Sequence, residues 1–237
     1  MRWPLLLALS MCAATAQADL KPFTASYTAD FKQLPISGNA ERSLVERPDG
    51  LWRLSFNASM MVASVEETSA FREQQGHLLP EQYRYERSGL GKSKSVAHQF
   101  DWSAKKVTGH DRDKPVNLTL TQGLLDKSTY QQALQNDVAS GKTSMSYQVL
   151  DGDEIEVFDF RVLGEETVRT RAGLIDAVKV ERVRDPAQSK RQTTLWFAKD
   201  WDYLLVRLHQ TEKDGKQYQI MLKDATVDGK AVVGRSN

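Results

Sequence analysis

Alternating apolar and polar residues recur along most of this chain of 237 residues. The stretch Phe23–Phe31 has an apolar side chain at every second position, and Leu51–Met60 repeats the pattern with polar residues between them. Because successive side chains of a strand point to opposite faces of a sheet, this period of two predicts β-strands, and one wet and one dry face is typical of antiparallel sheets. The pattern predicts further strands at Asn39–Arg47, Ser64–Arg72, Gln82–Arg87, Ser93–Trp102, Lys106–Thr108, Pro115–Leu120, Ser144–Leu150, Ile155–Val162, Thr167–Arg171 and Leu174–Arg184.

The most regular part of the chain is Arg191–Asp224, which the alternation divides into three successive strands. A tight corner is predicted at Asp200–Asp202. A hairpin is predicted next, and a three-residue loop at Lys213–Gly215 would pair Leu208 with Ile220 and make one face continuously apolar. A two-residue loop would mix polar and apolar residues on each face, so we expect the three-residue loop.

One helix is predicted, at Asp126–Ser140. Ser128 and Gln131 have the spacing of a capping box, in which each residue's side chain satisfies a backbone N–H at the helix start. Gly141 is suited to end the helix. Four helix residues share an apolar face at helical spacing: Tyr130, Ala133, Leu134 and Val138. This face is expected to pack on the sheet face that carries Trp52, Leu54, Phe56 and Met60.

The N-terminus has the features of a secretory signal peptide. The basic residue Arg2 precedes a short apolar run, and small residues end the segment at Ala18. Cleavage there would leave Asp19 as the first residue of a periplasmic protein. An uncleaved anchor is one alternative, although the apolar run is shorter than the roughly 20 residues that span a bilayer. A lipid on Cys12 is another, disfavoured because the bulky Met11 precedes this cysteine.

Removal of the signal peptide, residues 1–18, would remove the only cysteine and with it any disulfide or thiol chemistry. Residues 19–226 are then expected to form one β-rich domain, and residues 227–237 a flexible tail. The full chain has 32 basic and 31 acidic residues, a balance that argues against nucleic acid as a partner. The basic stretch Arg182–Arg191 is interpreted as a solvated face.

Motifs for catalysis or metal binding are missing from the sequence. Gly91–Ser93 and Gly141–Thr143 resemble the end of a phosphate-binding loop but lack its first glycine. The four histidines show no metal-ligand spacing, and the chain has no nucleophile elbow. The sequence therefore predicts no catalytic residue, no metal, no cofactor and no enzymatic activity.

Six short segments are distinctive: Ser37–Ser43, Met60–Ser64, Ser88–Gly91, Leu125–Tyr130, Val178–Arg182 and Leu195–Ala198. Together they resemble the exported domain-of-unknown-function 3108 family, and the resemblance covers nearly all of the chain after the signal peptide. It implies a location in the envelope of a Gram-negative bacterium and a β-rich fold. It supplies no activity and no catalytic residues.

The segment Arg191–Asp224 also resembles, more remotely, the last strands of periplasmic lipoprotein-carrier half-barrels. Those proteins curl an antiparallel sheet around a helix and hold acyl chains in its concave face, so the resemblance implies the same arrangement here. The expected fold is mostly β: a strongly curved antiparallel sheet or incomplete β-barrel with one helix packed on the concave face.

The preferred function is a periplasmic, non-catalytic binding or carrier protein for an apolar ligand, a lipid or the acyl chain of a lipoprotein. The alternatives are a structural or interaction protein of the envelope with a filled core and an envelope protein as partner, and an uncharacterised hydrolase. An integral membrane protein is not expected. A cleft of ~300 Å³ between helix and sheet would favour the carrier, and close packing would favour the structural protein. The candidate ligand-binding residues are Trp52, Leu54, Phe56, Met60, Met61, Tyr130, Leu134 and Trp201, with the adaptable methionines at the rim.

Overall fold

The computed structural model describes residues 20–31, 36–61, 63–89, 93–187 and 189–236, so the predicted signal peptide and Cys12 lie outside the described residues. The described chain forms sixteen strands and one helix. Their bounds are β1 Phe23–Phe31, β2 Ile36–Glu46, β3 Trp52–Met60, β4 Ala63–Gln74, β5 His77–Gly89, β6 Lys94–Asp101, β7 Lys106–Asp111, β8 Lys114–Thr119, β9 Leu124–Asp126, α1 Thr129–Ala139, β10 Ser144–Asp151, β11 Glu154–Thr170, β12 Gly173–Val183, β13 Gln192–Ala198, β14 Leu204–Thr211, β15 Gln217–Val227 and β16 Lys230–Ala231.

The strands form one sheet in which neighbours along the chain are mostly neighbours in space. The order is β8-β7-β6-β5-β4-β3-β2-β1-β15-β14-β13-β12-β11-β10-β9, with β16 paired to β15. The pairing of β9 with β10 is parallel, and the other pairings between the described strands are antiparallel. The strand order does not close on itself. The predicted mostly β fold, an incomplete barrel with one helix, is confirmed.

The sheet curls until its β9–β10 end lies against the opposite arm of the same sheet. Ser69 on β4 is hydrogen-bonded to Asp126 on β9. Leu124 and Leu150 pack in one cluster with Tyr83 of β5. All three residues of β9 are buried, because one face of this strand meets that arm and the other meets the interior.

Helix α1 lies in the interior of the curled sheet, between two apolar clusters. Leu134 and Val138 pack with Phe158 and Phe160 of β11 in the second cluster. The first cluster joins strands from both ends of the chain, and the helix residue Tyr130 packs against both clusters. The helix therefore packs on the concave face, as the sequence predicts. The predicted partner strand is only partly right: Tyr130 packs against the cluster that contains Trp52 and Phe56, whereas Leu134 and Val138 pack in the cluster of β11.

The hairpin between β14 and β15 has the predicted register, with Leu208 opposite Ile220. The N–H of Glu212 donates to the carbonyl of Lys216 at 2.7 Å, which leaves a loop of three residues. Gly215 in this loop has a φ of +84°, a conformation that glycine adopts without strain. The predicted three-residue loop is confirmed.

Two strands predicted at Ile155–Val162 and Thr167–Arg171 form the single strand β11, which has 17 residues. The pairing of β11 with β12 shifts register between Val162 and Gly164, where Gly164 has a φ of +137°. This β-bulge inserts one residue, so the alternation of side chains is interrupted while the strand continues. The sequence pattern therefore divided one strand into two.

The start of α1 differs from the prediction. Ser128 occupies the N-cap position without a capping hydrogen bond from its side chain, and Gln131 donates to the carbonyl of Lys127. The N–H groups of Ser128 and Thr129 donate instead to Oδ1 of Asp126, at 2.8 and 2.7 Å. The predicted capping box is wrong, because a carboxylate just upstream is a stronger acceptor for these donors than a hydroxyl.

The C-terminal residues, predicted to be a flexible tail, are tied to the sheet through residue 236. Strand β16 pairs with β15, and Val232 is buried in the first cluster. Leu174 and Arg235 exchange two backbone hydrogen bonds of 2.9 Å. The tail is held because it covers apolar surface and its backbone groups are paired. The remaining residue, Asn237, lies outside the described part.

Candidate functional site

A row of apolar side chains crosses the interior face of the sheet. Backbone pairing aligns one residue from each of six strands, which we call the interior row: Val162, Val180, Leu195, Leu208, Ile220 and Ala29. Residues directly opposite each other in neighbouring strands lie on the same face. Val180 and Leu195 pack in the cluster that contains Leu134 of α1, so this face is the interior one.

Burial of interior-facing residues decreases along the strands, away from the helix. On each of three strands, two interior-facing residues are neighbours on the same face, yet the first is buried and the second is partly exposed. The pairs are Leu54 and Phe56 on β3, Leu222 and Ile220 on β15, and Leu205 and Leu208 on β14, where a β-bulge puts residues three positions apart on one face. The interior is therefore filled near the helix and partly uncovered around Leu208 and Ile220 of the interior row. We call the uncovered part the open end; Phe31 and Tyr218 stack there with ring centroids 5.0 Å apart.

The contact between α1 and the sheet is close-packed. Leu134 is fully buried, and the cavity beside the helix measures about 30 Å³. It is lined by Gln132 and Gln135 of the helix and by Trp201 in the corner between β13 and β14. This volume suits a single water molecule, whereas a cleft for a ligand needs ~300 Å³.

Six of the eight candidate ligand-binding residues lie in or against the first cluster: Trp52, Leu54, Phe56, Met60, Tyr130 and Trp201. Leu134 belongs to the second cluster. Met61 lies in the turn between β3 and β4, where Met60 pairs with Ala63 and the Met61 side chain is 92% exposed. The interrupted alternation at these methionines therefore marks a hairpin.

Buried polar groups hold the start of α1 against β4 and β5. Five residues form what we call the closure junction: Glu67, Ser69, Tyr83, Asp126 and Ser128. The Tyr83 hydroxyl donates to Oε1 of Glu67 at 2.8 Å. Burial raises the pKa of Asp126 to about 6 and also raises the pKa of Glu67, while hydrogen bonds from their neighbours act in the opposite direction. Both carboxyl groups are engaged in positioning the helix.

An aromatic group separates the packed part of the interior from the open end. The ring of Tyr130 lies edge-on to Phe158 at 5.1 Å and stacks on Phe160 at 5.8 Å. Burial raises the pKa of Tyr130 to about 12, against the positive charge of Arg182. Tyr130 nevertheless keeps some accessible surface.

Two interior arginines were not recognised in the sequence. The guanidinium of Arg182 lies 3.3 Å from the ring centroid of Phe158, and its side chain is only 14% exposed, so the interpretation of this residue as part of a solvated face is wrong. Arg42 is 3% exposed and lies 5.1 Å from the ring centroid of Phe23. The usable signal was alternation, because Arg182 shares its face with the buried Val180.

Comparison with known proteins identifies the family. Residues 26–223 match the family described as "Protein of unknown function (DUF3108)". The chain belongs to this family. It is also similar to the crystal structure of a β-barrel-like protein of domain of unknown function DUF1849 from Brucella abortus, with a TM-score of 0.59, 10% identity, and coverage of 89% of this chain and 99% of that chain. At 10% identity this likeness shows the fold alone. A separate comparison with curated proteins finds no match.

Two further observations concern the described part of this DUF3108 protein. It contains no group of three or more histidine, cysteine, aspartate or glutamate side chains placed to hold a metal ion. Its single helix is too short and too polar to cross a membrane.

Proposed function

We propose that this DUF3108 protein is a non-catalytic carrier that binds an apolar chain, from a lipid or a lipoprotein, in the open end of its interior. The single observation that carries the proposal is the burial gradient along β3, β14 and β15. Interior-facing Phe56, Leu208 and Ile220 are partly exposed, whereas their neighbours on the same face, Leu54, Leu205 and Leu222, are buried. Apolar side chains that line an uncovered concave face are typical of a binding site.

The proposed site lies beyond the helix contact and not beneath it. The closely packed residues around Leu134 form the floor, with Tyr130 at the boundary. The interior row and the pair Phe31 and Tyr218 form one wall. Burying each methylene of a ligand on such a wall contributes about 0.8 kcal/mol, so affinity should rise with chain length.

A structural or interaction protein of the envelope is the second candidate function. It is supported by the close contact between α1 and the sheet, where the cavity is about 30 Å³. In this alternative the partly exposed interior residues are simply the edge of a core. A hydrolase is a third alternative, and it would require carboxylates that converge on a shared cleft.

We also propose that the protein works in the periplasm after cleavage behind Ala18. The support is the signal-like pattern of the first 18 residues. N-terminal sequencing of protein from the periplasmic fraction should begin at Asp19. An acylated Cys12 at the N-terminus would contradict this location.

The carrier proposal is tested by fluorescence titration with cis-parinaric acid and with its uncharged methyl ester. Saturable binding of at least the ester is expected, because the ester presents only an apolar chain. Saturated fatty acids should displace the probe more strongly as their chains lengthen.

A matched pair of variants locates the site. Ile220→Asp places a charge on the interior wall and should weaken binding of both probes by at least about tenfold, because burying an unpaired carboxylate is costly. Gln219→Asp places the same charge one residue away on the opposite face and should bind as the wild type does. Circular dichroism and urea unfolding check that both variants are folded. Absence of saturable binding by the wild type would leave the structural protein as the better account.

A further inference from the structure

A basic cleft lies at the hairpin between β12 and β13, at the open end of the interior. Its volume is about 630 Å³, and the basic residues that line it are Arg161, Arg182, Arg184, Lys190 and Arg191. Arg161 comes from the middle of β11 and Arg182 from the end of β12, and the other three come from the connection between β12 and β13. The residues are spread over 30 positions of the sequence, and the fold brings them together.

The positive charge of the cleft is only partly balanced. Arg161 pairs with Glu181, and Arg191 pairs with Glu212 at 2.6 Å. The contact of Arg182 with Glu156 is longer, 3.6 Å, and the Glu156 side chain is half exposed. A contact this long with a half-exposed carboxylate contributes little.

Arg184 has no carboxylate partner among the described residues. Its Nη1 donates to the carbonyl of Arg191 at 3.4 Å and to Oγ1 of Thr193 at 3.2 Å, both neutral acceptors. The carboxylate of the adjacent Asp185 accepts from the N–H of Ala187 at 2.9 Å. The buried Nε of Arg182 also lacks a hydrogen-bond partner within the described part of the chain. Guanidinium donors thus outnumber the acceptors that surround them.

The cleft is continuous with the apolar interior. Arg182 lies on the ring of Phe158, which is in turn in edge contact with Tyr130. Thr193 is two positions from Leu195 of the interior row and so shares its face. A ligand with an apolar chain in the open end would therefore have its polar end within the basic cleft.

We propose that Arg182 and Arg184 form the subsite for an oxyanion, so that the ligand is an anionic amphiphile with its carboxylate or phosphate in the cleft. This inference rests on the proposed carrier function and names the chemical class of its ligand. Guanidinium groups bind carboxylate and phosphate through paired, charge-assisted hydrogen bonds. A bound oxyanion would also offset the repulsion among these arginines: burial lowers the pKa of Arg184 to about 10, and the charges of Arg182 and Arg191 lower it further.

The test compares cis-parinaric acid with its methyl ester, which differ only in the charge at the polar end. The wild type should bind the acid about tenfold more tightly than the ester. Arg184→Gln, and separately Arg182→Gln, should abolish this preference and leave the affinity for the ester unchanged. Arg207→Gln removes the same charge beside Trp196 and should keep the preference, because residue 207 lies on the face opposite Leu208.

The outcomes separate the two proposals. Equal affinity of the wild type for acid and ester overturns the oxyanion subsite and leaves the carrier function standing. Failure of both probes to bind overturns the carrier function as well as the oxyanion subsite. A third arm uses inorganic phosphate without any chain. Phosphate binding that depends on Arg184, in a protein that binds neither probe, would assign the cleft to a free anion and overturn the amphiphile.

Discussion

Ser69 on β4 donates a hydrogen bond of 2.5 Å from its hydroxyl to Oδ2 of Asp126 on β9, across 57 residues of sequence. The other oxygen of this carboxylate accepts the N–H groups of Ser128 and Thr129. One buried side chain therefore both starts the helix and joins the two arms of the curled sheet. The position of α1 on the concave face depends on this group.

Replacing Asp126 by alanine is the direct test of that role. Asp126→Ala leaves two helix N–H groups and the Ser69 hydroxyl without their acceptor inside the protein. The free energy of unfolding should fall by about 3 kcal/mol, measured by urea denaturation. Asp200→Ala, at an exposed position in the corner before β14, should change it by less than about 0.5 kcal/mol. Equal effects of the two substitutions would contradict the structural importance of Asp126.

Buried His98 predicts a specific dependence of stability on pH. It stacks on Tyr83 at 5.6 Å, and burial lowers its pKa to about 4, while the backbone of Gly152 and the charge of Asp111 act in the opposite direction. The positive charges of His110 and Lys94 lower it further. Between about pH 4 and pH 6.5 His98 binds a proton in the unfolded chain and not in the folded chain. The contribution of His98 to the free energy of unfolding is therefore complete above pH 6.5 and is lost as the pH falls to 4.

His98→Phe isolates this contribution because phenylalanine keeps a flat ring and does not titrate. The stability difference, wild type minus variant, should rise with pH by up to about 1.4 kcal/mol per unit between pH 4 and 6.5 and then level off. Taking the difference cancels the contribution of Asp126, which is the same in both proteins. Because the pKa of Asp126 is raised, its contribution to stability depends on pH in the opposite direction: it is complete below pH 3.8 and is lost as the pH rises through about 6. His77→Phe, at the start of β5, checks that the slope belongs to His98. A difference that does not vary across this range would contradict the prediction.

Local pattern was sufficient to predict most of the strands. The alternation in Phe23–Phe31 gave the bounds of β1, and the apolar residues on either side of Gly215 gave the β14–β15 register. Both depend on residues close in sequence, where a shift of one position would turn every side chain to the other face. The bulge at Gly164 does not follow from such a pattern, because it interrupts the alternation that reveals strands.

The site was harder to predict because it depends on how far the sheet curls. Asp126 has the sequence context of a helix start, and nothing nearby indicates that Ser69 will reach it. Arg182 and Arg184 belong to a basic stretch that is typical of a solvated face, although alternation with Val180 places them on the interior face. Which side chains remain partly exposed follows from the final curvature, and alternating sequence does not encode that directly.

The C-terminal segment provides a test of the tail contacts. A Cβ on Gly234 would lie 2.7 Å from the carbonyl oxygen of Leu174 and 2.8 Å from the carbonyl carbon of Gly173. Gly234→Ala should therefore weaken the tail and lower the free energy of unfolding by about 2 kcal/mol. Val233→Ala changes the neighbouring residue, which is 67% exposed, and should cost less than about 0.5 kcal/mol. Limited proteolysis followed by mass spectrometry should show earlier cleavage after residue 229 in Gly234→Ala alone, and identical digestion of the two variants would contradict the contact.

The buried Arg42 offers a prediction about the stability of the fold. It is buried over Phe23, burial lowers its pKa, and its Nη1 has no hydrogen-bond partner among the described residues. An unpaired buried cation costs desolvation energy that a flexible apolar side chain of similar length avoids. Arg42→Met should therefore leave the free energy of unfolding unchanged or raise it by about 1 kcal/mol, whereas Arg42→Ala should lower it by about 2 kcal/mol because it leaves a cavity. Urea denaturation of both variants decides the matter. A loss above 2 kcal/mol in Arg42→Met would mean that attraction to Glu67 outweighs the cost of burial, and Arg42 would then belong to the framework of the fold.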